Sequence, residues 1–319
     1  MSNDILVVAE HLKGAISDVT FELLGKGREL ATATGGSLNI ALLSSGLSSD
    51  GLGAADKVIR VDHDRLGEFN PEAYIVALAA VVEQSSPRLT LIGNTSMGMD
   101  LAAALSVRQN IPLVAYALDV SIDGDSVVTT SQLYGGKVYA ESVIAGDAGI
   151  VSVLAGSFPA DAGRKEGAPS EESMDAPEAI GDGRVVFKGL VEPEGGDVDI
   201  TQHDYLVAVG RGIQSEDNLP LVEELAKALG GAVCSSRPIV DSKWLPKTRQ
   251  VGKSGLKVKP KIYLALGISG APEHIEGMKD AELIIAVNSD ETAPIFEHAH
   301  YGTTEDLFDI VPALTAKLS

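Results

Sequence analysis

Short apolar runs that alternate with helical patterns constrain this chain more than any other feature. The runs Ile5–Ala9, Leu38–Leu43, Lys57–Val61 and Leu89–Ile92, then Leu113–Val120 and Val127–Gln132, are rich in Val, Ile and Leu and are flanked by turn residues. Runs of this kind read as parallel strands buried on both faces. Between them, Val19–Thr34 sets Leu23, Leu24, Gly27 and Leu30 at helical spacing and stops at Gly35-Gly36, and Pro71–Gln84 does the same with Tyr74, Leu78 and Val81. Alternating β and α predicts a doubly wound α/β sheet. Asp123-Gly124 departs from the alternation, because Asp-Gly favours a tight reversal between antiparallel strands, so the sheet is expected to be mixed.

From Ser157 to Arg184 the chain turns to Pro, Gly, Ala, Ser and Glu without apolar periodicity and reads as a loop or linker. A second alternating region follows, with strand Tyr205–Val209, helix Leu219–Leu229 and strands Ile262–Ala265 and Leu283–Val287, about the size of a nucleotide-binding half-sheet. At 319 residues the chain exceeds the usual single core. The expected organisation is an N-terminal mixed-sheet α/β domain over 1–190, carrying the 157–184 loop, and a smaller doubly wound parallel-sheet domain over 191–319 with a C-terminal tail.

Charge and cysteine usage exclude several function classes. Lys and Arg number 25 against 45 Asp and Glu, and 25 − 45 gives a net charge of −20 that repels phosphate backbones and anionic headgroups. Nucleic acid is therefore not an expected partner, and no apolar run reaches the length of a spanning helix, so no membrane insertion is expected. Cys234 is the single cysteine, which precludes an intramolecular disulfide and fits a reducing compartment, the cytoplasm or a mitochondrial matrix. The opening MSNDILVVAE shows no signal peptide.

Candidate chemistry is sparse in the N-terminal region. Gly51-Leu52-Gly53 lacks the third glycine of a dinucleotide fingerprint. Asn94-Thr95-Ser96, ahead of a helix placed near Asp100, reads as a capping turn in preference to an anion site. The C-terminal region differs, because polar and glycine residues cluster at the ends of its strands, where open α/β sheets bind ligands. Gly210-Arg211-Gly212 follows one strand, with small residues to let a phosphate approach the backbone and Arg211 as a fork of donors. Ser235-Ser236-Arg237 and Gln250-Val251-Gly252-Lys253-Ser254-Gly255 come next, then Gly267-Ile268-Ser269-Gly270-Ala271 with Glu273 and His274, and last Asn288-Ser289-Asp290. Together they describe a site for an anionic, hydrogen-bonding ligand. No metal site is expected: His298 and His300 read as surface residues, and Cys234 as a small packed one.

The stretch from Gly210 to Leu314, with SR…VD, QVG, GISGA, a following His, GM, IIAVN and APIF in that order, resembles the FAD-binding domain of the electron transfer flavoprotein α subunit. Upstream, the fold pattern and the opening strand with AEH agree with that family. The resemblance implies two domains, the second holding FAD from about Glu192 onward, and a β subunit as heterodimer partner that contacts the first domain. It places Arg211 at the pyrophosphate, Ser236 and Arg237 near the phosphate and the isoalloxazine, and Ser254 where a family threonine meets flavin N5. Val251, Gly252, Ser269, Gly270 and His274 then line the flavin and ribityl chain, and Gln250, Lys253, Gly255, Gly267, Ile268, Ala271 and Glu273 join the cofactor-binding set. Asn288 and Asp306 serve the adenosine end, and Ser289, Asp290 and Leu307 complete the cofactor-binding set. Because a reduced flavin gains negative charge at N1 and O2, Arg237 and a His274 donor are expected to raise its potential.

Two motifs depart from the family's QVGQTG and GISGAIQH: Lys253 and Glu273 replace neutral amides with opposite charges, Ser254 keeps the hydroxyl of a threonine, and Pro272 stiffens the turn before His274. The implied function is FAD-mediated electron transfer from flavin dehydrogenases, of the acyl-CoA dehydrogenase type, to an acceptor such as a quinone oxidoreductase. Two alternatives stay open. One is an NADH-fed electron-bifurcating complex working with ferredoxin, and the other, of a different class, is a nucleotide-binding sensory module without redox chemistry.

Overall fold

A computed structural model of the chain describes residues 2–134, 137–144, 146–190 and 198–318. The chain divides into two compact units, Met1–Gly189 and Leu190–Ser319. Glu192, where the FAD-binding portion is expected to begin, lies outside the described residues.

In the first unit, β1 (Ile5–Val8) is followed by the small hairpin β2 (His11–Leu12) and β3 (Ala15–Ile16), then α1 (Asp18–Thr34), β4 (Leu38–Ser44), β5 (Lys57–Asp62), α2 (Pro71–Ser85), β6 (Leu89–Gly93) and α3 (Ser96–Gln109). The chain continues through β7 (Leu113–Asp123), β8 (Ser126–Leu133), β9 (Val138–Ile144), β10 (Gly149–Val153) and β11 (Ser170–Ser173). One nine-stranded sheet has the order β11-β5-β4-β1-β6-β10-β7-β8-β9. It is mixed: β7, β8 and β9 pair antiparallel while the remaining ladders run parallel. The Asp123-Gly124 reversal is present, with Asp123 paired to Ser126.

Period-two alternation splits β1 between two cores. Ile5 and Val7 pack with Leu23, Leu24 and Leu30 of α1 on one face, and Leu6 and Val8 with Leu78 and Val81 of α2 and Leu105 of α3 on the other. Local chemistry starts the helices where burial needs them. Asn70 accepts from the Ala73 N–H at 3.1 Å ahead of Pro71, and Thr95 accepts from the Gly98 N–H at 3.0 Å. The Asn94–Ser96 turn is thus a cap, and α3 begins at Ser96, before Asp100.

The reading of 157–184 as a loop or linker needs correction where the segment forms ordered elements. This segment makes 3-10 turns at Ala160–Ala162 and Glu178–Asp182, adds β11 to the sheet edge beside β5, and buries Ile180 at 1% exposure among the α2 core residues. Its order comes from distant polar partners that local periodicity cannot report. Lys57 pairs with Glu172 and Arg60 with Glu171, each at 2.9 Å. Arg65 donates to the carbonyls of Ile180, Gly181, Gly183 and Val185.

The second unit runs β12 (Tyr205–Val209), α4 (Leu219–Ala228), β13 (Ala232–Ser235), α5 (Arg237–Asp241), β14 (Ile262–Leu266), α6 (Pro272–Ile275), β15 (Leu283–Val287), β16 (Tyr301–Thr303) and α7 (Leu307–Leu318). Its five strands are all parallel in the order β13-β12-β14-β15-β16. The C-terminal segment, read as a tail, is a helix whose Leu307 and Val311 pack with Val222 and Leu225 of α4. Among the described residues no helix is long and apolar enough to cross a membrane.

Candidate cofactor site

In the second unit the chain leaves β12 through α4 to β13 on one side, and β14 returns on the other side of β12, so winding reverses between β12 and β14. Loops diverge at such a point and leave a crevice at the carboxyl ends of the strands. A cleft of about 710 Å³ opens there. It is lined by Gly210, Arg211 and Gly212 after β12; Ser236, Arg237 and Pro238 after β13; and Gln250 to Ser254. Gly267 to Ala271 with Glu273 and His274 follow β14, and Asn288 and Asp290 follow β15.

The structure therefore brings together most of the residues singled out from sequence, and four lie elsewhere. Ser289, Asp306 and Leu307 line a neighbouring recess of about 250 Å³ that shares Gly212, Gly267 and Asn288 with the cleft. Gly255 closes the preceding turn, its N–H on the Gly252 carbonyl at 2.9 Å, and does not line the cleft. Gly210 and Gly212, which flank Arg211 in the cluster read from sequence, also line the cleft, and Pro238 is a lining residue that the sequence did not signal.

The glycines of the β12 loop also allow a close contact with the β14 loop. A Cβ on Gly210 would meet the Gly267 carbonyl oxygen at 2.4 Å, and one on Gly212 would meet the Gly267 Cα at 2.5 Å. They let two loops touch across the switch point, and it is this contact that sets the cleft wall. Arg211 and Arg237 are exposed at the cleft, and Arg237 Nε reaches Asp241 at 3.3 Å one turn along α5.

Three polar side chains have their hydrogen bonds already assigned. Gln250, buried, donates from Nε2 to the Ser254 hydroxyl oxygen at 2.9 Å, which leaves the Ser254 proton to donate elsewhere. Asn288 donates to the Ile268 carbonyl at 2.8 Å and accepts from the Asp290 N–H at 2.9 Å, so its amide ties two loops together. His274, 6% exposed, has Nδ1 at 3.1 Å from the Val251 carbonyl and Nε2 at 3.0 Å from the Tyr263 hydroxyl. Burial pushes its pKa down to about 4, so the ring is neutral at physiological pH. The expected N–H donor on His274 is thus not offered to the cleft, since both ring nitrogens are engaged with the protein. Cys234, fully buried, has its thiol pushed up to about 12 by burial and is a packed residue.

The family model of the electron transfer flavoprotein domain matches residues 5–179, and that described as the electron transfer flavoprotein FAD-binding domain matches residues 199–279. Electron transfer flavoprotein subunit alpha of Bacillus subtilis is 33% identical over 320 residues, covering 99% of this chain and 97% of that protein. Protein FixB of Clostridium saccharobutylicum is 34% identical over 320 residues, covering 98% and 95%. Acryloyl-CoA reductase electron transfer subunit beta of Anaerotignum propionicum is 36% identical over 351 residues, covering 98% and 94%.

A parallel sheet with a cation-lined cleft at its switch point, inside a matched FAD-binding domain, defines a flavin-binding α/β protein. The chain belongs to the electron transfer flavoprotein α-subunit family, with FAD as its cofactor and electron transfer as its role. The donor set of the cleft fits that cofactor. Arg211, Arg237 and Lys253 line it with cations that suit a pyrophosphate and a ring that becomes anionic, and the Gln250 bond to the Ser254 oxygen leaves that hydroxyl's proton to donate.

Proposed function

We propose that the cleft holds one FAD in an extended pose and that the chain works as the α subunit of a heterodimer. In this reading it takes electrons from a flavin dehydrogenase of the acyl-CoA dehydrogenase type and passes them to an acceptor such as a quinone oxidoreductase. The observation that carries it is the convergence of four strand-end loops, with three cations and several oriented donors, on one cleft of the FAD-binding unit.

FAD supplies one- and two-electron chemistry, and the chain's residues bind, orient and tune it. Arg211 holds the pyrophosphate. Ser254, whose hydroxyl oxygen accepts from Gln250, would have its proton left to donate to flavin N5. Arg237 would stand beside the isoalloxazine, with Val251 and Gly252 as part of its wall. The recess lined by Ser289, Asp306 and Leu307 takes the adenosine end. The Met1–Gly189 unit, which matches the electron transfer flavoprotein domain, contributes the surface for the β subunit.

Co-expression with a β subunit tests both parts. A yellow 1:1 complex with extractable FAD is the expected result. A colourless protein that cannot be reconstituted with FAD would overturn the cofactor placement and return the sensory-module reading, whereas a stable FAD-holding monomer would overturn the heterodimer.

A second reading draws on the Anaerotignum propionicum protein, whose name places it with an acryloyl-CoA reductase. In this second reading the present chain would pass electrons from NADH toward a CoA-thioester reductase, as the electron-bifurcating alternative with ferredoxin requires. Anaerobic mixing separates the two: bleaching of the flavin by NADH supports the second, and bleaching only by a reduced acyl-CoA dehydrogenase supports the first.

A further inference from the structure

Tyr263 is the second residue of β14, fully buried among apolar side chains of the second unit. A phenylalanine would fill nearly the same space there, and a buried hydroxyl costs free energy unless it is hydrogen-bonded. The Tyr263 hydroxyl spends its short contact on one partner, His274 Nε2 at 3.0 Å, with the Cys234 thiol behind it at 3.9 Å. On the other side of the ring, Nδ1 lies 3.1 Å from the Val251 carbonyl. A carbonyl can only accept, so Nδ1 carries the proton. In the neutral ring Nε2 is then an acceptor, and the Tyr263 hydroxyl donates to it. The imidazole, which lines the cleft, is thus held at both ring nitrogens by protein groups, the Val251 carbonyl and the Tyr263 hydroxyl.

We propose that Tyr263 is a positioning residue of the flavin site, which acts through His274 by fixing its neutral Nδ1–H tautomer and its ring orientation. His274 thereby presents the cofactor with an uncharged wall, and the protonation of the ring is kept out of the flavin's redox equilibrium at neutral pH. The proposal rests on the reading that His274 lies against FAD.

The sign of the effect follows from which form each bond favours. The Tyr263 bond is made to the lone pair of neutral Nε2, so it disfavours the imidazolium, in the same direction as the burial that already lowers the His274 pKa. Other titratable and charged groups stand on the elements around the ring. They are Glu273 and Glu276 on its own turn, Lys253 on the loop that pairs with it, Cys234 on β13, and Arg211, Arg237 and Asp290 around the cleft. A charge on the ring would be felt by a flavin in the same cleft.

The test uses the FAD-loaded protein in its native complex, labelled with 15N at histidine, and compares wild type with Tyr263→Phe. In wild type, His274 should show a protonated Nδ1 and an unprotonated, hydrogen-bonded Nε2, with no titration in the neutral range. In Tyr263→Phe the Nε2 resonance should lose its hydrogen-bond shift, the ring should titrate about one pH unit higher, and the flavin potential should acquire additional pH dependence below neutrality. A protonated Nε2 in wild type, or unchanged nitrogens and potential in the variant, would overturn the proposal. Should Tyr263→Phe not fold, a fluorotyrosine placed at 263 has a more acidic hydroxyl and should shift Nε2 in the opposite sense. Absence of that shift would count equally against it. If instead the nitrogens behave as expected but do not respond when FAD is bound or reduced, it is the placement of His274 against FAD that fails.

Discussion

Gly212 and Gly267 touch backbone to backbone: a Cβ on Gly212 would stand 2.5 Å from the Gly267 Cα, and the Gly212 N–H donates to the Gly267 carbonyl at 3.1 Å. Gly267 also sits at φ +62°, the left-handed region in which a side chain is strained. The contact closes the switch point and fixes the distance between Arg211 and the β14 loop.

Gly267→Ala should therefore distort the cleft as well as the turn. We expect a loss of about 1–3 kcal/mol in stability and weaker FAD retention, read by urea unfolding and by flavin content after gel filtration. Unchanged flavin content with full stability would show that the loops can part without affecting the site.

Arg65 holds the returning segment by four carbonyls, from Ile180 to Val185. Replacing it by alanine should cost about 1–3 kcal/mol and expose residues 157–189 to limited proteolysis, while the flavin potential stays unchanged.

The Glu171 carboxyl is held down to about 2 by the Arg60 guanidinium and the Ser49 hydroxyl. A carboxyl depressed by folding stabilises the fold above its unfolded value of about 4.3, and that contribution disappears as pH falls toward about 2. Both partners are partly exposed, so solvent screening keeps the effect small. Glu171→Gln should flatten the acid limb of the stability curve, measured by urea midpoints across that window, and leave the neutral region nearly level.

Arg237→Ala should lower the potential of the first flavin reduction by on the order of tens of millivolts, because a cation beside a ring that gains negative charge favours the reduced form. The Asp241 partner limits the effect. Arg211→Ala should instead weaken FAD binding in both redox states about equally. Redox titration of each variant decides, and equal potentials for Arg237→Ala and wild type with FAD fully bound would remove that arginine from the ring.

Much of the fold was legible because parallel strands buried on both faces leave apolar runs. Tyr205–Val209 and Leu283–Val287 match their strands to the residue. The three-residue strand Tyr301–Thr303 escaped notice because it is mostly exposed and Tyr301 has little apolar company. Ser170–Ser173 escaped because its place is set by Lys57 and Arg60, more than a hundred positions away. In the site, glycines and cations announced the loops, but sequence could not say that Gly210 and Gly212 serve another loop. Nor could it say that Tyr263, inside an apolar run, turns its hydroxyl to His274.

Cys234, the one thiol of the chain, lies with no exposed surface on β13 behind Tyr263. In that position it is shielded from oxidants and alkylating reagents for as long as the parallel sheet stays closed. Its rate of modification by a thiol reagent is therefore a clock for the opening of this unit alone, started only when the sheet parts. The chain carries, at no added mutation, a native reporter of how strongly a bound dinucleotide keeps its own domain shut.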